Sequence, residues 1–155
     1  MSARYQFGVR EPREATSSKS WEIDPDRPLA DLKPREVGIE GEEIAASYLE
    51  RRGYEILERN WRHGRREADI VVRDNETVVL VEVKTRSCLG EDFREVMPEL
   101  AVNAKKQEGY RSLALGYISE HPEVHSIRFD VIAINLVARR TASLRHLVGA
   151  YEWDD

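Results

Sequence analysis

The chain has 155 residues, 41% of them apolar and 34% charged, with a formal net charge of -5 and a single cysteine. That length suits one domain with one core and excludes two independent ones. The longest apolar runs fall far short of a bilayer span and the first residues lack a signal-peptide core. Cys88 alone cannot form an internal disulfide, so a soluble protein of the reducing cytoplasm, with no membrane partner, is expected. The negative charge argues against coating nucleic acid by bulk electrostatics and leaves room only for a local basic patch.

Residues 1–35 hold Pro12, Pro25, Pro28 and Pro34, a Ser/Thr cluster at Thr16 to Ser20 and no sustained hydrophobic period. This composition predicts a flexible N-terminal tail ahead of a single domain over 36–155. Trp21 and Ile23 are the residues able to pin it down. From Glu36 the apolar positions Val37, Ile44, Ala45, Tyr48 and Leu49 recur at helical spacing until Gly53 stops them.

Three runs rich in β-branched and aromatic residues follow, Tyr54 to Trp61, Glu67 to Val72 and Thr77 to Thr85. His63-Gly64 and Asp74-Asn75 mark the turns between them. Pro98 to Ser119 returns to helical spacing through Val102, Tyr110, Leu113 and Tyr117. Ser126 to Leu136 and Leu144 to Tyr151 read as two more strands, divided by a polar turn over Arg139 to Ser143. The order αβββαββ predicts a mixed sheet flanked by helices, an α/β or α+β domain.

Charges appear where a buried strand should have none. In Val78-Val79-Leu80-Val81-Glu82-Val83-Lys84 the face of Val78 and Leu80 ends in Glu82 and Lys84, although buried charge is costly unless paired or bound to metal. The preceding strand carries Glu67 and Asp69 ahead of Ile70, Val71 and Val72. Asp69, Glu82 and Lys84 are thus expected at one spot, and Glu42, at the edge of the first helix's stripe, can look toward them. Two hard oxygen donors and a compact cation suit Mg²⁺-dependent phosphodiester hydrolysis, with Mn²⁺ a possible substitute. Lys106 falls inside the second helix's apolar stripe, where it either snorkels or reaches a phosphate.

The E-x-D of Glu67 to Asp69 and the Glu82-Val83-Lys84 triplet resemble the signature of the PD-(D/E)XK nuclease superfamily. The wider pattern is similar to the bacterial YraN-like proteins, which are related to archaeal Holliday-junction resolvases. It shows in GIEGEEIAASYL (38–49), GYEILERNWR (53–62), READIV (66–71), VEVKTR (81–86), AVNAKKQ (101–107) and RFDV (128–131). At 66–69 the family more often has Gly-Glu-Ile-Asp, and both acids are kept here.

The resemblance implies a restriction-endonuclease-like fold and a metal-dependent endonuclease acting on DNA, with branched structures as a candidate substrate. It implies Asp69 and Glu82 as metal ligands, Lys84 as the catalytic lysine, Glu42 as the helix carboxylate, and Lys106 with Gln107 on the phosphate side. A homodimer follows by analogy with resolvases that cut two strands symmetrically. Arg62, Arg65, Arg66 and Arg86 are the basic residues expected to contact phosphate.

The other reading of the same residues is an interior ion-pair network, Lys84 with Glu82 and Asp69 with Arg66 or Arg86, in a non-catalytic nucleic-acid-binding or protein-interaction module. Trp61 and Tyr54 are read as core, His63 as a turn residue, and Asp130 as the partner of an arginine.

Overall fold

The computed structural model describes residues 2–6, 23–87, 104–139 and 141–150. Strand β1 (Ser2–Gln6) is followed by a short 3-10 turn (Leu29–Asp31) and helix α1 (Pro34–Arg51). Strands β2 (Glu55–His63), β3 (Arg66–Asp74) and β4 (Thr77–Ser87) come next, then helix α2 (Ala104–Glu120) and strands β5 (Ile127–Ala138) and β6 (Thr141–Leu147). The expected order αβββαββ is present from α1 onward. The strands form one mixed sheet in the order β1-β6-β5-β4-β3-β2. Only β4 and β5 run parallel, and their ladder extends from Val78↔Ile127 to Ser87↔Leu136.

Each face of the sheet carries one helix, and β4 shows why. Its odd-numbered Val79 and Val81, with Val83 beside them, pack with Ile44, Ala45, Tyr48 and Leu49 of α1. Its even-numbered Val78 and Leu80 pack with Leu113, Ala114 and Tyr117 of α2. Side-chain alternation in a strand thus sorts the core into two layers.

Helix α1 starts two residues before the expected Glu36, because Pro34 at its first turn has a suitable φ and no N–H to satisfy. The Glu36 carboxylate then accepts the Lys33 N–H at 3.0 Å. Strand β6 begins at Thr141 and ends at Leu147, three residues ahead of the expected start. Ala142 and Leu144 belong to the layer under α1, so the strand follows their burial. Ala138 and Thr141, which flank the start of the expected polar turn, pair with each other.

Parts of the expected tail lie on the body. Ser2–Gln6 pairs antiparallel with Thr141 to Arg145 of β6. Leu29 and Leu32 are buried in the layer under α1, and Ile23 packs against it. Leu29 opens the 3-10 turn and Leu32 caps it, its N–H donated to the Leu29 carbonyl, and both side chains are buried in the same layer. Arg139 fastens the segment by donating to the carbonyls of Asp24 and Arg27 at 2.9 and 2.6 Å and to Glu40 at 3.0 Å. Arg27 completes the strap through Glu36. Trp21, Cys88, the helix start at Pro98 to Val102 and Tyr151 lie outside the described residues.

Candidate functional site

The β3–β4 ladder ends at Ile70↔Val81. Beyond that pair β4 continues to Ser87 with β5 as its ladder partner, while β3 stays with β2. Asn60, in the left-handed region at φ 52°, lies in β2 between its pairs Arg59↔Ile70 and Trp61↔Ala68. At this fork the next bond is made by a side chain, since Asp69 Oδ2 accepts the Val83 N–H at 2.7 Å. The carboxylate is therefore held by backbone at the point where the two strands part.

Glu82 and Lys84, on the face that carries α2, stand just past the fork. Lys84 Nζ lies 2.9 Å from Glu82 Oε1. Tyr110, from the second turn of α2, donates its hydroxyl to Glu82 Oε2, and its ring stacks on Phe129 with centroids 3.8 Å apart. Both carboxylate oxygens of Glu82 are thus oriented by neighbours. Sequence reasoning saw Tyr110 only as a member of the apolar stripe. A phenol ends in a donor that seeks a partner when half-buried, and this was the available signal.

Glu42, on the other helix, interacts electrostatically with Asp69. Gly41 brings α1 so near β4 that a Cβ there would fall 1.7 Å from Thr85 Oγ1. Glu42 follows Gly41 in the chain and is thereby held close to the sheet. Burial pushes the Glu42 carboxyl up to about 7, helped by the charge of Asp69 and opposed by Arg59. Burial likewise lifts Asp69 to about 6, with Glu82 and Glu67 raising it further and the Val83 N–H and Lys84 working against them. These are carboxyl groups crowded together in a partly dehydrated place, a pattern common at functional sites.

Of the other expected residues, Glu67 is exposed and its carboxylate lies 3.1 Å from Arg62. Arg65 is exposed at the β2–β3 turn and Gln107 is exposed on α2, whereas Lys106 is half-buried. Arg66 does not pair with Asp69. Its guanidinium lies along α2 at Gly109, where a Cβ would come within 2.0 Å of it. Arg86 is half-buried near the end of β4 with no hydrogen-bond partner for its Nε. The ion-pair reading thus describes Lys84 and Glu82 but not Asp69.

Trp61 and Asp130 stand as read, whereas His63, read as a turn residue, belongs to strand β2 and pairs with Arg66. Trp61 is buried and meets Tyr117 edge-on. His63 ends β2 and stacks over Trp61. Asp130, fully buried, takes a fork of hydrogen bonds from Arg128 at 2.8 and 3.0 Å. His146 Nε2, at 2.7 Å, and the Gly149 N–H, at 2.9 Å, complete its shell.

Among the described residues, no three His, Cys, Asp or Glu side chains are gathered in a metal-holding group. Mg²⁺ does not demand one, since it commonly keeps several waters and binds through one or two carboxylates. Asp69 and Glu82 are two hard-oxygen donors whose crowding a cation relieves, so the donor set fits that ion.

The profile of the uncharacterised protein family UPF0102 matches residues 41–134, a span that contains Glu42, Asp69, Glu82, Lys84 and Tyr110. A UPF0102 protein of Thermodesulfovibrio yellowstonii is 47% identical over 100 residues, which cover 64% of this chain and 86% of that protein. One from Geobacter sulfurreducens is 40% identical over 117 residues, covering 75% and 88%. Another, from Chlorobium phaeobacteroides, is 38% identical over 122 residues, covering 78% and 90%. The chain belongs to the uncharacterised protein family UPF0102.

Proposed function

We propose that this protein is a PD-(D/E)XK-type endonuclease that hydrolyses DNA phosphodiester bonds with Mg²⁺, Mn²⁺ serving as a substitute. The observation that carries the reading is the fork, where Asp69, Glu82 and Lys84 meet on diverging strands and Glu42 feels the charge of Asp69. Asp69 and Glu82 would hold the ion. When bound, Mg²⁺ supplies positive charge that polarises a phosphate and acidifies water.

The chain's own groups divide the remaining work. Lys84, a compact point charge, offsets negative charge gathering on the phosphate oxygens as the bond to the leaving oxygen breaks. Glu42 holds its proton up to about 7, so near neutral pH it is placed to exchange one with water in the site. Arg62 at the end of β2 and Arg65 on the β2–β3 turn, together with Arg66, Arg86, Lys106 and Gln107, supply the phosphate contacts. Branched DNA is the substrate class proposed first, and two copies acting together would cut paired strands.

A second reading has its own support. Both Glu82 oxygens are already engaged within the chain, as suits a binding module that keeps the fold without the reaction. Purified protein incubated with branched and linear DNA, in Mg²⁺ and in EDTA, separates the two. Cleavage that requires the metal and is lost in Glu82→Gln and Lys84→Met supports the nuclease. Salt-sensitive DNA binding that is indifferent to EDTA, with no cut strand in Mg²⁺ or Mn²⁺, would replace it with the binding module.

A further inference from the structure

We infer that Tyr110 is a positioning residue for the Glu82 carboxylate, so that helix α2 is a working part of the site as well as a cover for the sheet. The inference rests on the reading of Asp69 and Glu82 as metal ligands. It is carried by two contacts of one side chain, the hydroxyl donated to Glu82 Oε2 and the ring stacked on Phe129.

Phe129 is fully buried in the layer between α2 and the sheet. It therefore offers the tyrosine a fixed surface, and the phenol reaches the carboxylate from a ring with little freedom to swing. Lys84 alone cannot do this, because an ammonium on a flexible stem attracts a carboxylate without fixing its plane. Lys84 takes Oε1 and Tyr110 takes Oε2. Each oxygen keeps a lone pair, and the two donors determine where those lone pairs point.

Gly109 adds a mechanical reason for choosing this turn of α2. The residue before Tyr110 has no side chain, and the Arg66 guanidinium fills that space. One turn of α2 thus grips the acidic side of the fork through Tyr110 and lies against a cation of β3 through Gly109. Residues that orient a ligand from behind commonly change metal affinity by tenfold or more.

The test uses the full chain and counts free Mn²⁺ by electron paramagnetic resonance. It compares wild type, Tyr110→Phe, Glu82→Gln and the double variant, with thermal melts run beside each. Phenylalanine keeps the ring on Phe129 and removes only the donor. The expected result is a loss of about tenfold in Mn²⁺ affinity for Tyr110→Phe, and no further loss when it is added to Glu82→Gln, whose residual binding rests on Asp69. Phe129→Leu keeps the hydroxyl but loosens its mount, and is expected to lose affinity to a smaller degree.

Tyr110→Phe and Phe129→Leu both binding within twofold of wild type would overturn the inference while leaving the ligand reading intact. A loss from Tyr110→Phe that is equal with and without Glu82→Gln would overturn it too, by showing a general effect on structure. A wild-type chain with no saturable Mn²⁺ binding, or with binding unchanged in Glu82→Gln, would overturn the ligand reading itself.

Discussion

At the scale of single residues, Asp69 carries two duties that a substitution can separate. Its Oδ2 closes the fork on the Val83 N–H, and its charge adds to the crowding felt by Glu42. Asparagine retains an acceptor oxygen and loses the charge. Asp69→Asn is therefore expected to leave the metal-free protein as stable as wild type or more so, and to erase most of the stabilisation by added Mg²⁺. Denaturant melts of both proteins in EDTA and in Mg²⁺ check this. A loss of about 3 to 5 kcal/mol in EDTA is what a broken buried ion pair would give, and it would remove Asp69 from the ligand set. Gly41 makes a second point at this scale. Thr85 is short and branched and cannot swing aside, so Gly41→Ala is expected to lift α1 from β4 and cost about 1–3 kcal/mol. The cleavage proposed above should fall as well, because Glu42 moves with the helix.

Among the elements, alternation and helical spacing made the body legible, since α1, the β2–β3–β4 meander, α2 and β5 all carry their burial pattern in the residues themselves. The N-terminal segment was not legible for a physical reason. Leu29 and Leu32 sit among prolines and charges, and two apolar side chains, one in a 3-10 turn and one capping it, are too few to form a period. Their burial is decided by the space beside α1. Each is expected to cost about 2–5 kcal/mol when changed to alanine, measured as a fall in denaturation midpoint, whereas unchanged midpoints would return the segment to the tail. The site was half legible on the same principle. Glu82 and Lys84 betray themselves as charges on an apolar face, while Tyr110 hides because one end of a tyrosine belongs in a core. Arg66 was assigned from its charge, and only the glycine opposite shows where it lies.

Across the whole molecule, buried carboxyls pull stability in two directions with pH. Glu42 and Asp69 hold their protons to about 7 and 6, against ordinary values of 4.5 and 3.8. Between those limits the folded chain binds more protons than the unfolded one, so stability falls as pH rises. Asp130 behaves oppositely. Burial would raise it, but the bonds from His146, Arg128 and the Gly149 N–H hold it below its ordinary value. Its contribution is present above about pH 4 and is lost on further acidification. The metal-free protein is thus expected to be most stable near pH 4 and to lose about 1–2 kcal/mol by pH 8, a range reduced for solvent screening at the open fork. Mg²⁺ should restore stability at pH 8 and do little at pH 5. A profile from urea melts that rises steadily to pH 8 in EDTA would contradict the crowding of acids at the fork.

The parting of β3 from β4 also bears on when the site comes into being. The β2–β3–β4 meander pairs neighbours in sequence and can form early, but Glu82 to Ser87 find their ladder partner only in β5, beyond α2 and starting at Ile127. Closing so long a loop is entropically slow, and non-local parallel pairing comes late in folding. The backbone that carries Glu82 and Lys84 thus gains its ladder only when β5 docks. A chain stalled at the meander stage would carry Glu82 and Lys84 without the strand that aligns their backbone. In refolding followed by pulsed amide exchange, the amides of β3 up to Ile70 should gain protection before those from Glu82 onward.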